Sequence, residues 1–75
     1  MMGITRTLED YLSLNYRIVL TPQYGDWTAT IPDLPGCIAV GETPQEALEL
    51  IHDAKEGWLT VSFERGLPIP EPSEA

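Results

Sequence analysis

The sequence predicts an α+β domain: a three-stranded antiparallel β-meander packed against one long α-helix, with a short N-terminal helix and an extended proline-rich tail. Three observations carry this. Tyr16, Ile18 and Leu20 alternate with Arg17, Val19 and Thr21, and Trp27, Ala29 and Ile31 alternate with Thr28 and Thr30. That period of two belongs to half-buried strands. From Pro44 to about Arg65 the period changes, and Ala47, Ile51, Ala54, Trp58 and Val61 recur at helical spacing. Between them lies a stretch rich in Pro and Gly, Ile31 to Gly41, that has to turn the chain.

Taken in order, Met1 to Arg6 carry no signal and are expected to fray. Thr7 fits the N-cap of a short helix, with Asp10 as the acid of a capping box. Leu8, Tyr11 and Leu12 fall on one face of that helix, which is too short to stand alone and has to dock. Asn15–Thr21 reads as the first strand. Pro22-Gln23-Tyr24-Gly25-Asp26 reads as a turn, and Trp27–Ile31 as the second strand. Matching apolar faces pairs Leu20 with Trp27, Ile18 with Ala29 and Tyr16 with Ile31. Ile38 and Val40 are expected on the same face, leaving Arg17, Thr21, Thr28 and Thr30 for water.

The stretch between sheet and helix is locally over-determined. Pro32 and Pro35 fix φ and remove two backbone donors, so Asp33 and Leu34 are not expected in a ladder. Gly36 precedes Cys37 and the short third strand, and Gly41 ends it. Thr43, Pro44 and Glu46 spell a helix start. Thr43 caps the amide of Glu46, Glu46 is expected to reach back to the amide of Thr43, and Pro44 stands at the first helical position. Leu48, Leu59 and Phe63 widen the helix's apolar stripe on one flank, and Gly66 is its expected stop. Leu67-Pro68-Ile69-Pro70-Glu71-Pro72 favours an extended form without a full ladder. The single domain is expected to span residues 1–75, with its core at about 7–70 and a disordered end at 71–75.

Composition narrows the function classes. A chain of 75 residues buries only about 60% of the surface its unfolded form exposes, so it is marginally stable. Cys37 is the only cysteine and His52 the only histidine, which leaves neither a disulfide nor a structural zinc site to reinforce it. Self-association, as a dimer or tetramer, is the remaining route. A net charge of −8, from 12 acidic and 4 basic residues, argues against nucleic-acid binding and fits a basic partner. No apolar run spans a bilayer and no signal-peptide pattern opens the chain, so a cytoplasmic protein with no membrane contact is expected.

No constellation for catalysis stands out. His52 has no marked nucleophile or carboxylate partner and reads as a structural or surface histidine. Cys37 has no basic neighbour in sequence and reads as a small buried residue. Strand interiors hold no carboxylates, which disfavours a magnesium-dependent nuclease, and no glycine loop cradles a phosphate. The chain is read as a non-enzyme without metal or cofactor. Tyr24 in its turn, with Asp26, Asp33 and Glu42, is the expected partner-binding set, chosen for exposure and charge.

One resemblance goes further. Pro32-Asp33-Leu34-Pro35-Gly36-Cys37, followed by Gly41-x-Thr43-x-x-Glu46-Ala47, resembles the signature of the HicB antitoxins of HicA–HicB toxin–antitoxin systems. The Tyr16–Ile31 hairpin, Thr7-Leu8-Glu9-Asp10-Tyr11-Leu12 and the closing Gly66-x-Pro68-Ile69-Pro70-Glu71-Pro72 are similar to the same family, so the likeness covers roughly residues 7–72. It implies a partial ribonuclease-H-like fold of order β-β-β-α without a working nuclease site, and self-association. It also implies a small basic partner, an mRNA-cleaving HicA-like toxin whose RNA-binding surface and catalytic histidine the antitoxin blocks. Complete members usually carry a C-terminal DNA-binding module. The chain stops shortly after Gly66, and the likeness is to the short, solo form. The function expected is neutralisation of such a toxin through an acidic sheet and turn surface. The alternative is an orphan self-associating module.

Overall fold

The computed structural model describes residues 7–72. Met1 to Arg6 and residues 73–75, expected to fray or to be disordered, lie outside the described residues. The elements are α1 (Leu8–Leu12), β1 (Val19–Gln23), β2 (Asp26–Thr30), β3 (Ile38–Gly41) and α2 (Pro44–Glu64). The strands form one antiparallel sheet in the order β1-β2-β3, and α2 covers one face of it. This is the α+β meander-plus-helix that the periodicities predict. Tyr16, Ala29, Ile31, Leu34, Cys37, Ala47, Ile51 and Leu59 make the core between the layers.

α1 starts on the expected capping box. The Asp10 amide donates to Thr7 Oγ1 at 3.2 Å and the Thr7 amide donates to Asp10 Oδ2 at 2.9 Å. Leu8, Tyr11 and Leu12 are half-buried against the core, and the Tyr11 ring meets Phe63 edge-on at 6.2 Å. The helix is therefore held by packing on the far half of α2.

The hairpin register differs from the expected one by two residues. Leu20 lies opposite Ala29, and Pro22 opposite Trp27. Pro22 and Gln23 belong to β1, and only Tyr24 and Gly25 make the turn. Tyr24 has φ +50° and Gly25 φ +85°. Positive φ at both central positions is what a two-residue type I′ turn requires, and its twist suits the hairpin. The turn sets the register. A slip of two keeps every side chain on its own face, so apolar matching alone cannot distinguish the two pairings. Pro22 is tolerated because β1 is an edge strand.

The third strand presents the opposite face from the one expected. Ile38 and Val40 stand opposite Thr30 and Thr28 on the outer side, each 55% exposed. Cys37, Ala39 and Gly41 face the helix instead. The reason is the distance between layers. A Cβ built on Gly41 would lie 2.5 Å from the Ala47 backbone nitrogen. The first turn of α2 thus rests directly on β3, and only small residues fit between them. The loop fixes this phase: the Ile31 amide donates to the Cys37 carbonyl at 3.2 Å, and both residues are buried.

α2 opens as expected on Thr43, whose Oγ1 accepts from the Glu46 amide at 3.0 Å, with Pro44 in first position. Glu46 reaches one residue further back than expected. Its Oε1 accepts from the Glu42 amide at 2.7 Å, not from Thr43. That bond ties the helix to the strand end. Ala47 and Ile51 are buried as predicted, and Ala54 and Trp58 pack partly. Val61 is exposed, while Leu59 and Ser62 are buried. The helix outruns the sheet, and its second half packs on α1, so the buried stripe turns around the axis. Nothing lies within 4 Å of a Cβ built on Gly57, so packing does not require a glycine there. The Gly66 amide donates to the Phe63 carbonyl and the Leu67 amide to the Ser62 carbonyl, which closes the helix in a Schellman motif. The tail then runs extended, with Ile69 against the core and the Tyr16 hydroxyl donating to the Pro70 carbonyl at 2.6 Å. Glu71 and Pro72 are described as part of it.

Candidate functional site

The outer face of the sheet can be read row by row from the register. Val19, Thr30 and Ile38 form one row, and Thr21, Thr28 and Val40 the next. Gln23 and Asp26 close the hairpin end. Glu42 follows the buried Gly41 just past the end of β3, at that same end of the sheet, and is exposed. Arg17 stands beyond Val19 at the opposite end, exposed between the buried Tyr16 and the half-buried Ile18. The face is thus apolar and threonine-rich in the middle and acidic at the hairpin end, with Arg17 at the opposite end, where the loop also carries Asp33.

Three of the four expected partner-binding residues come together. Tyr24 is 97% exposed at the hairpin tip, beside Asp26 and Glu42. Glu46 adds a third exposed carboxylate there through its bond to the Glu42 amide. Tyr24 owes its position to the turn, which aims its ring outward from a left-handed backbone. Asp33 does not join them. It sits half-buried in the loop at the other end of β2. Further acids, Glu49, Asp53, Glu56 and Glu64, are exposed along α2. The acidic surface is therefore the hairpin end and the helix. The middle of the sheet, expected to share it, carries no carboxylate.

The Pro32-to-Cys37 motif is a plug. Leu34 is 1% exposed and Cys37 4%. The Leu34 amide donates to the Ile31 carbonyl and the Cys37 amide to the Leu34 carbonyl. Trp58 Nε1 on α2 donates to the Pro35 carbonyl at 2.8 Å, pinning the loop to the helix. Gly36, at φ +81°, lets the chain turn back into β3. Burial pushes the Cys37 thiol above its ordinary range, and the Lys55 charge only partly opposes this. A protonated, covered thiol is a poor nucleophile. An open groove of about 230 Å³, lined by Thr30, Pro32, Pro35 and Ile38 among others, runs between this loop and the outer sheet face.

His52 is exposed on α2. Among the described residues, no group of three or more His, Cys, Asp and Glu side chains is placed to hold a metal ion. No helix among them is long and apolar enough to cross a membrane. Ile38 and Val40 are the surface residues that the sequence reading missed. The available signal was their neighbours: Cys37, Ala39 and Gly41 are small at every second position, as a strand beneath a close helix requires.

Comparison with known proteins gives a consistent result. A family model described as the HicB-like antitoxin of bacterial toxin–antitoxin systems matches residues 16–75. The UPF0150 protein ssl0259 of Synechocystis sp. is 40% identical over 58 residues, covering 76% of this chain and 80% of its own length. No solved structure matches significantly.

Proposed function

The chain belongs to the HicB-like antitoxin family, and from that premise we propose that it binds and neutralises a small, basic, mRNA-cleaving toxin of the HicA kind. One observation carries the reading. Exposed carboxylates Asp26, Glu42 and Glu46 lie at the same end of the sheet as the exposed Tyr24, on a chain of net charge −8. A basic RNA-binding surface would meet at that end an aromatic anchor and carboxylates that compete with RNA phosphates. Asp33, at the other end of the sheet, would serve as a separate contact. In this reading the protein acts by recognition in the cytoplasm. It uses no cofactor, contacts neither nucleic acid nor membrane directly, and self-associates as a dimer or tetramer.

Co-expression with a HicA-like toxin tests this. The wild-type chain is expected to restore growth and to retain the toxin in a pull-down. Asp26→Lys with Glu42→Lys should weaken retention, and raised salt should slow association. Failure to rescue growth with any such toxin would leave the orphan self-associating module, which the uncharged apolar middle of the outer sheet face favours.

A further inference from the structure

We propose that the outer sheet face is where a second copy of this chain docks, face to face and antiparallel, with Arg17 of each copy set against the hairpin end of the other, nearest its Asp26. The proposal rests on the self-association reading above and names its surface. The rows of the sheet supply the argument. Val19, Ile38 and Val40 are exposed apolar side chains with Thr21, Thr28 and Thr30 among them. No element among the described residues covers them, since α2 lies on the other side. Every described acid except those of the hairpin-end row and the loop's Asp33 lies on a helix, before one or in the tail. Two chains of net charge −8 repel each other along such surfaces, and the middle of the sheet is where that repulsion is least.

Orientation follows from the two ends. A two-fold axis lying between the two faces and perpendicular to the strands turns one copy end for end and keeps β1 over β1. The Arg17 end of each copy, where Asp33 is half-buried in the loop, then meets the acidic hairpin end of the other, whereas a parallel stack would bring the two acidic ends together. Of the exposed apolar residues of α2, Phe63 is met by the Tyr11 ring, and Leu50 and Val61 offer no such match. Glu46, Asp53 and Glu64 border them, so a second copy there would bring carboxylates together.

Size sets the strength. Strands about 4.8 Å apart, rising about 3.3 Å per residue, give the three-strand face a footprint of roughly 200–250 Å². Stable interfaces bury about 800 Å² per partner, so even with the groove beside Ile38 the contact is a concentration-dependent equilibrium. The face also shares Asp26 and Glu42 with the proposed toxin contact, so the two associations compete.

Sedimentation equilibrium on the purified chain tests the proposal without any toxin. The wild type is expected to gain mass with concentration. Val40→Glu should weaken association at least about tenfold, and Ile38→Thr with Val40→Thr, which keeps β-branching at both positions, should do so with the strand preserved. Arg17→Glu should weaken it about tenfold, and adding Asp26→Lys and Glu42→Lys to that variant should restore it, because the charges are then exchanged across the axis. Leu50→Glu and Val61→Glu should change nothing. A wild type that stays monomeric at hundreds of micromolar would overturn the self-association reading and this proposal together. Association that survives the sheet variants, or that is lost in the helix variants, would overturn this proposal alone. Loss on Arg17→Glu without recovery in the triple variant would overturn the antiparallel arrangement. Failure of growth rescue leaves these outcomes unaffected.

Discussion

Replacing Gly41 with Ala should destabilise this protein strongly. The new Cβ would lie 2.5 Å from the Ala47 nitrogen and 3.0 Å from both the Ala47 Cα and the Glu46 carbonyl carbon. All three are backbone atoms, so no side chain can swing away. They also belong to a fixed turn, held by the Thr43 cap and by the Glu46–Glu42 bond. Carbon atoms rest at about 3.5–4.0 Å, so the helix has to lift by roughly 1 Å at this end. Ala47 and Ile51, both fully buried, would lose contact with the sheet. Overpacking costs about 1–3 kcal/mol, and with no soft neighbour the cost belongs at the upper end, about 3 kcal/mol. A chain of this size has roughly 4–11 kcal/mol in total. The melting temperature should fall by roughly 12–24 °C, at about 4–8 °C per kcal/mol. Urea melts at low protein concentration, where association contributes little, give the value directly, with an unchanged m showing that the fold is retained. Gly57→Ala is the matched control: nothing lies within 4 Å of its Cβ, and the helix should gain about 0.5–1 kcal/mol. A Gly41→Ala variant within about 0.5 kcal/mol of wild type would refute the account of β3 and of why its outer residues are exposed.

Other outcomes follow from single contacts. Tyr16→Phe removes the donor to the Pro70 carbonyl and should cost about 0.5–1.5 kcal/mol, with faster amide exchange confined to the tail. Leu59→Ala should cost about 2–5 kcal/mol while Val61→Ala stays near 0.5; equal losses in denaturant melts would contradict the turning of the buried stripe. Because burial raises the Cys37 thiol's pKa in the folded chain, its contribution is fully present below the unfolded thiol's pKa. It is lost as pH rises through the folded value. Stability should therefore fall above about pH 9, and Cys37→Ala, though weaker at neutral pH, should lack that decline in urea midpoints.

Much of the fold was legible because it rests on local rules. The capping residues at Thr7 and Thr43, the helix from Pro44, its stop at Gly66 and the alternation of Tyr16, Ile18 and Leu20 are each decided within a few residues. The site was harder to read. Tyr24, Asp26 and Glu42 could be chosen for charge and exposure, but nothing local says that the hairpin tip and the end of β3 share an edge or that Asp33 lies at the other. That depends on strand pairing. The hairpin register was missed because a two-residue shift leaves the apolar pattern intact, and the backbone of Tyr24-Gly25 decides between the alternatives.

By itself, the sequence determined the element order, both helix starts, the acidic character and the family signature, since each is a property of nearby residues or of their sum. Only the tertiary structure decided which side of β3 faces inward. Hydrophobicity favours burying Ile38 and Val40. The close approach of α2 over Gly41 leaves no room for them, so the smaller Ala39 and Cys37 go inside and the larger pair outside. Packing volume overrides hydrophobicity at that strand. As a consequence, the sheet keeps an apolar outer face between Arg17 and the acidic hairpin end.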